Sequence, residues 1–131
     1  MIVVDTSALV AIHQLESDAA RLHQRIARDE HALVPATVLV EFALLRKLGP
    51  KRTEWLHDFL RDVDVKTESI SFEIAAVAAD AAERYGRGAN HPARLNFGDC
   101  LSYAVAKHLD APLLYKGDDF IHTDIESAIP A

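Results

Sequence analysis

The chain has 131 residues, half of them apolar, a formal net charge of −6 and a single cysteine, Cys100. This size predicts one domain, residues 1–131, with one sizeable core, and the lone cysteine excludes an intrachain disulfide or a thiolate zinc cluster. No apolar stretch approaches the roughly 20 residues of a membrane span and no secretory leader opens the chain, so we expect a cytoplasmic protein.

Short apolar runs alternate with segments of helical spacing along the whole chain. In chain order, the predicted elements are a strand at 2–4, helices at 6–12 and 17–29, a strand at 31–34, helices at 36–48 and 53–63, a strand at 65–67, helices at 71–85 and 98–109, and a strand at 113–115. Strands that alternate with helices predict an α/β fold with a parallel sheet. Ligands of such sheets bind beyond the carboxyl ends of the strands.

Acidic residues follow or interrupt the apolar segments at four places. Asp5 follows the first strand and Asp118 the last, Glu41 lies within the apolar face of the third helix, and Asp99 lies in the first turn of the last helix. Burying unpaired carboxylates is costly, so a shared divalent cation is the simplest common partner. Ligands that are all oxygen favour Mg²⁺, for which Mn²⁺ can substitute. The four acids together predict one metal site.

Each acid also has an explanation without a metal. Asp5 and Asp99 stand where a helix cap is expected. Glu41 could pair with a basic side chain from another element. The fourth acid is the least determined, because Asp118 and its neighbour Asp119 both follow the last strand and either could turn toward the site. We prefer Asp118 and keep Asp119 as the first alternative and Asp124 as a more distant one.

Polar residues beside the acids have candidate supporting roles. Thr6 or Ser7 could orient Asp5 or a bound water, with helix capping as the alternative for each. A basic cluster just before Asp99 could bind phosphates, with a solvated loop as its alternative. Its members are Arg84, Arg87, His91 and Arg94. Bound cations would also offset the negative charge that otherwise argues against a nucleic-acid partner.

An apolar stripe on the fourth predicted helix has two interpretations. Its members are Trp55, Phe59, Leu60 and Val63. Such a stripe usually packs into the core. The alternative is a groove or dimer surface that receives a helix of another protein.

Several short motifs, spread over nearly all 131 residues, form one combination. They are Val3-Val4-Asp5-Thr6-Ser7, Glu41, Tyr85-Gly86 through His91, Leu95-Asn96-Phe97-Gly98-Asp99-Cys100, and Leu113-Leu114-Tyr115-Lys116-Gly117-Asp118-Asp119-Phe120. In this combination the chain resembles the PIN-domain ribonucleases, specifically the VapC toxins of bacterial toxin–antitoxin pairs. The resemblance implies a PIN-like three-layer α/β/α sandwich with a central, mainly parallel sheet of short strands. Gly117 departs from the family pattern, because many relatives carry an aspartate there.

The resemblance also implies an activity and partners. Asp5, Glu41 and Asp99 match the family's metal ligands, and the implied activity is Mg²⁺-dependent endoribonuclease cleavage of structured RNA such as tRNA or rRNA. The implied assembly is a homodimer that a VapB-type antitoxin neutralises, giving a heterotetramer or a larger complex, with no membrane partner.

Two other functions compete with this interpretation. A phosphotransfer domain also places an aspartate after its first strand and binds Mg²⁺. However, Ser7 stands where the haloacid-type domains need a second aspartate, and Glu41 has no role in that scheme. The second rival is a non-catalytic domain that binds RNA or protein and whose acids are structural. Nuclease activity that depends on metal would separate it from the enzyme.

Overall fold

The computed structural model describes residues 1–129 and contains one sheet of four short parallel strands. The strands are β1 (Ile2–Val4), β2 (Ala32–Pro35), β3 (Lys66–Glu68) and β4 (Leu113–Leu114). Their spatial order is β3-β2-β1-β4, so β1 lies in the interior of the sheet. Val3 is paired with Leu33 on one side and with Leu113 on the other. The predicted parallel sheet is therefore confirmed.

Six α-helices connect and cover the strands. They are α1 (Thr6–His13), α2 (Ala19–Ala27), α3 (Val38–Leu44), α4 (Arg52–Asp62), α5 (Phe72–Tyr85) and α6 (Phe97–His108). Each corresponds to a predicted helix with ends that differ by a few residues, which is the usual uncertainty at frayed termini. None of the helices within residues 1–129 is both long and apolar enough to cross a bilayer.

The predicted helix at 36–48 is interrupted near its end. The α-helix stops at Leu44, and a single 3₁₀ turn, Arg46–Leu48, carries the chain to Gly49. The Arg52 side chain donates hydrogen bonds to the carbonyl oxygens of Ala43 (2.7 Å) and Gly49 (2.8 Å). The bond to Ala43 satisfies a carbonyl near the end of the α-helix that has no partner in the next helical turn.

The sheet separates two apolar clusters. Ile2 and Val4 contact the cluster formed with α1 to α4, whereas Val3 contacts the cluster formed with α5 and α6. Successive strand residues point to opposite faces, so one strand of three apolar residues contributes to both halves of the core. The result is the three-layer α/β/α arrangement that the family resemblance implies.

The apolar stripe of α4 is part of the first cluster. Trp55 stacks on Phe42 of α3 and on Phe59, with ring centroids 5.7 and 5.0 Å apart. Phe59 and Leu60 are buried, and Trp55 and Val63 are partly buried against the same core. The core interpretation of the stripe is therefore confirmed, which leaves little of it free to receive another protein.

The outer edge of β4 is covered by the segment that follows it. The backbone N–H of Leu113 donates to the carbonyl of Glu126, and that of Ala128 donates to the carbonyl of Leu113, both at 2.9 Å. Tyr103 of α6 holds the same segment through a 2.5 Å hydrogen bond to Asp124. This segment therefore pairs with β4 on the side opposite β1.

Candidate active site

Asp5 lies at the carboxyl edge of the sheet, between β1 and α1. Its backbone N–H donates to the carbonyl of Leu114 at 2.9 Å, which fixes it beside the end of β4. Its carboxylate accepts hydrogen bonds from the Ser7 N–H at 3.0 Å and the Ser7 hydroxyl at 2.6 Å, and the residue is 4% exposed. Asp5 thus caps α1, and the same hydrogen bonds fix the direction of its carboxylate.

Asp99 is placed by the start of α6. Asn96 accepts a hydrogen bond from the Asp99 N–H at 2.8 Å, and Asp99 accepts one from the Asn96 N–H at 3.1 Å. This reciprocal pair is a capping box, and it leaves Asp99 8% exposed. The predicted capping role is therefore present, and the helix terminus favours the ionised carboxylate in the same place.

Glu41 reaches this region from α3, on the opposite wall. Its carboxylate accepts a hydrogen bond from the Thr6 hydroxyl at 3.3 Å. It also lies directly against Gly98, where an added Cβ would overlap the carboxylate oxygens. Glycine at this position therefore allows the carboxylate to approach the first turn of α6. The motif Asn96-Phe97-Gly98-Asp99 contained this residue, but its steric role could not be read from the sequence.

The three acids line one pocket of about 380 Å³. Its lining residues are Asp5, Thr6, Ser7, Val10, Glu41, Leu45, Asn96, Asp99, Lys116 and Asp119. Asp118, the fourth acid that the sequence favours, lies instead in a neighbouring pocket. Gly117, with φ at +102°, turns the chain before the two aspartates, and Asp119 is the one that reaches the pocket of Asp5. The placement favours Asp119 over Asp118.

Burial and mutual repulsion make these carboxylates harder to ionise. The pKa of Glu41 is raised from 4.5 to about 7, chiefly by burial and then by the charges of Asp5 and Asp99, against the Thr6 hydrogen bond. The pKa of Asp99 is raised from 3.8 to about 6, chiefly by burial and then by the charges of Asp5 and Asp119, against the Asn96 backbone hydrogen bond and the charge of Arg87. Each acid therefore responds to the charge of its neighbours, as expected of groups that share one site.

The chemistry of these donors fits a hard divalent cation. All the acidic donors are carboxylate oxygens, which Mg²⁺ and Mn²⁺ prefer. Within residues 1–129, no three Asp, Glu, His or Cys side chains are oriented to enclose an ion as they stand. Asp5, Glu41 and Asp99 each accept a hydrogen bond from a donor of the protein.

Ser7 and Thr6 support different acids. Ser7 holds Asp5 through two hydrogen bonds, as predicted for one of the pair, whereas the Thr6 hydroxyl donates to Glu41. Lys116 was not identified from the sequence, although its backbone N–H donates to the Ser7 hydroxyl oxygen at 3.0 Å. A lysine after a short strand carries no distinctive signal, so only the fold reveals this proximity.

The predicted basic cluster divides into two pairs. Arg87 and Arg94 line the pocket that contains Asp118 and Asp119, beside the acidic site. The other pair surrounds Tyr85, with the Arg84 guanidinium 4.7 Å from the ring centroid and the His91 ring 4.9 Å from it. Arg87 and Arg94 are thus the members next to the acids, and Arg94 also shares a further pocket with His91.

Comparison with known proteins identifies the family. The PIN domain family matches residues 2–126. Ribonuclease VapC42 of Mycobacterium tuberculosis (strain ATCC 25618 / H37Rv) is 42% identical over 128 residues, covering 96% of this chain and 98% of that protein. Ribonuclease VapC28 of the same strain is 36% identical over 129 residues, covering 97% of both chains.

A solved structure supports the same assignment at the level of the fold. The crystal structure of Mycobacterium tuberculosis VapC20, a sarcin-ricin loop cleaving toxin, superposes with a TM-score of 0.76 over 99% of this chain and 100% of that one. Its sequence identity is 19%, so the likeness concerns the fold alone. It confirms the predicted fold, and the closer relatives confirm the predicted ribonuclease class. The chain therefore belongs to the PIN-domain family, as one of its VapC ribonucleases.

Proposed function

We propose that this protein is a divalent-metal-dependent endoribonuclease, the toxin of a toxin–antitoxin pair, that cleaves structured RNA such as tRNA or rRNA. Mg²⁺ is the proposed cofactor, with Mn²⁺ as a substitute. The observation that carries the proposal is the single pocket lined by Asp5, Glu41, Asp99 and Asp119, four acids from four separate segments. The cytoplasm is the proposed location, because its RNA substrates are found there.

The residues of the pocket have distinct proposed roles in phosphodiester hydrolysis. Asp5 and Asp99 would hold the cation, with Asp119 as the third ligand at the mouth of the pocket. When bound, a divalent cation supplies positive charge to the scissile phosphate and lowers the pKa of water. Glu41, opposite Asp99, would orient the attacking water by accepting its hydrogen bond. Ser7 keeps the Asp5 carboxylate in place through its hydroxyl and N–H.

RNA would extend from the pocket over the adjacent basic residues. Arg87 and Arg94 share a pocket with Asp119, so they could bind the phosphates nearest the cleavage position. Arg84 and His91 lie farther out against Tyr85 and would contact more distant phosphates. The activity of VapC20 on the sarcin-ricin loop supports a structured RNA as the substrate class.

The proposed partners are a second copy of this chain and a VapB-type antitoxin, in a heterotetramer or a larger complex. The VapC relatives support the antitoxin, which would inhibit by covering the acidic pocket.

A dimer face is supported by exposed apolar residues: Val40 and Leu44 on α3 are 62% and 67% exposed, and Phe97 is 79% exposed. Phe97 also lines an apolar groove of about 710 Å³ beside α5 and α6. Exposed apolar residues that form a contiguous patch commonly mark an interface.

Replacing either central ligand should abolish cleavage. Asp5→Asn and Asp99→Asn each retain an oxygen for the capping hydrogen bond but lose the charge, so we expect kcat/KM in Mg²⁺ to fall at least roughly 100-fold while the fold persists. The measurement is cleavage of a structured RNA by purified protein, with circular dichroism to verify folding and Asp58→Asn on the surface of α4 as the control. Unchanged cleavage by either variant would remove the mechanism.

The two consecutive aspartates should differ in effect. Asp119 lines the pocket and contributes to the raised pKa of Asp99, whereas Asp118 does not line it. We expect Asp119→Asn to lower kcat/KM at least about tenfold and Asp118→Asn to change it less than about twofold. The same cleavage assay with both purified variants makes the comparison. A larger loss in Asp118→Asn would restore Asp118 as the fourth acid.

Metal-free protein should lose stability as the pH rises. Because the pKa values of Glu41 and Asp99 are raised to about 7 and about 6, the folded state binds more protons than the unfolded state above their ordinary values. The stabilisation that comes from these extra bound protons is complete below about pH 4 and is lost as the pH rises through about 6 to 7. In EDTA we expect Tm to fall by on the order of 5 °C between pH 5 and pH 8.

Two additions make the pH experiment specific. Glu41→Gln should reduce the fall in Tm, and Mg²⁺ added at pH 8 should raise Tm by linkage, an effect that EDTA reverses. Asp29 and Asp124 have lowered pKa values, so their titration lies below this pH range. A metal-free Tm that stays level or increases from pH 5 to pH 8 would contradict the raised pKa values.

The exposed face of α3 should control self-association. Leu44→Glu places a charge on the proposed dimer face, so we expect it to convert a dimer to a monomer in size-exclusion chromatography with light scattering. Leu15→Glu is the matched control, because Leu15 is 84% exposed but lies in the α1–α2 connection. A wild-type monomer, or a dimer unaffected by Leu44→Glu, would exclude this face.

A further inference from the structure

Lys116 has an unusual position relative to the acidic pocket. Within residues 1–129, it is the only basic side chain among those that line this pocket. Its backbone N–H donates to the Ser7 hydroxyl oxygen at 3.0 Å, and that hydroxyl donates to Asp5 Oδ2 at 2.6 Å. The Lys116 backbone is therefore two hydrogen bonds from Asp5. A lysine side chain spans about 6 Å from Cα to Nζ, so its ammonium could reach the carboxylates.

The ammonium nevertheless points to a different pair of acids. Lys116 Nζ donates to Glu16 at 2.5 Å and to Asp18 at 3.1 Å, both in the connection between α1 and α2. These hydrogen bonds, the Glu16 bond first, raise the pKa of Lys116 and keep it charged. Around Glu41, by contrast, only the Thr6 hydroxyl favours the ionised carboxylate. The ammonium of Lys116 is thus paired with Glu16 and Asp18, whereas the carboxylates of the pocket repel one another.

We propose that Glu16 and Asp18 are positioning residues that hold the Lys116 ammonium away from the pocket, so that its carboxylates remain available to a divalent cation. This inference rests on the metal site of the proposed function. Without the two acids, the strongest attraction on a free Lys116 ammonium would come from Asp5, Asp99 and their neighbours. An ammonium paired with those carboxylates would compete directly with the cation for the same oxygens.

A purely structural role for the same ion pairs gives a different expectation. The contacts join the α1–α2 connection to the end of β4, so any variant that breaks them could lower the metal-free Tm. Lys116→Met breaks them and leaves no ammonium, whereas Glu16→Gln with Asp18→Asn breaks them and leaves the ammonium free. A structural tie predicts similar behaviour of both variants, and the proposed role predicts different affinities for the cation.

The test is the Mg²⁺ concentration at the midpoint of binding to the folded protein, followed by isothermal titration calorimetry at pH 7.5 and about 0.15 M salt, where long-range charge effects are screened. We expect the midpoint of Glu16→Gln/Asp18→Asn to rise at least fivefold over wild type. Lys116→Met should stay within twofold of wild type, and adding Lys116→Met to the double variant should return its midpoint to within twofold. Asp58→Asn/Asp62→Asn, which also removes two acidic charges, is the matched control and should have no effect.

Each contrary result has a definite meaning. An unchanged midpoint in Glu16→Gln/Asp18→Asn overturns the inference, and so does a raised midpoint that Lys116→Met does not reverse, because the loss of acidic charge would then suffice. If Mg²⁺ does not bind to the wild-type protein, or binds equally well to Asp5→Asn, the metal site itself fails and the inference falls with it. A normal wild-type response with no effect of the double variant leaves the proposed function intact.

Discussion

The repulsion among buried carboxylates is the constraint on which the proposed chemistry depends. Asp5 and Asp99 are nearly inaccessible to solvent, and Glu41 approaches them from the facing helix. Water cannot fully screen charges in such a place, so the acids either retain protons or gain a cation. The raised pKa values of Glu41 and Asp99 describe the first state, and the oxygen donors suit the second. A pocket of this kind lowers the stability of the metal-free protein and favours the binding of a cation.

The fold brings the acids together with very short elements. Parallel pairing of β1 with β4 places the residues that follow both strands at one edge of the sheet. The capping box of α6 then fixes Asp99 at the same edge, and the missing side chain at Gly98 admits Glu41. The same groups therefore cap helices and line the proposed active site. The capping explanation and the metal explanation, which are alternatives for the isolated motifs, are compatible in the structure.

The sequence predicted the architecture well because each element has a strong local signal. The apolar runs of β1 and β4 and the helical spacing of α4 and α5 all place elements where the structure has them. What the sequence could not supply was the direction of side chains in turns. Asp118 and Asp119 are adjacent in one acidic turn, and only the conformation at Gly117 determines which reaches the pocket. The partners of Lys116 are 98 and 100 residues away, beyond any local pattern.

The segment that pairs with the outer side of β4 has a consequence for solubility at high expression. An open strand offers unpaired backbone groups that can recruit strands from other molecules. Here one border of the sheet is occupied by residues 126–128 of the same chain. The other border, β3, is only three residues long and carries the charged Lys66 and Glu68. Both edges of the sheet are therefore protected against pairing with strands of other molecules. Association with other molecules then occurs through side chains and not through the backbone of an edge strand.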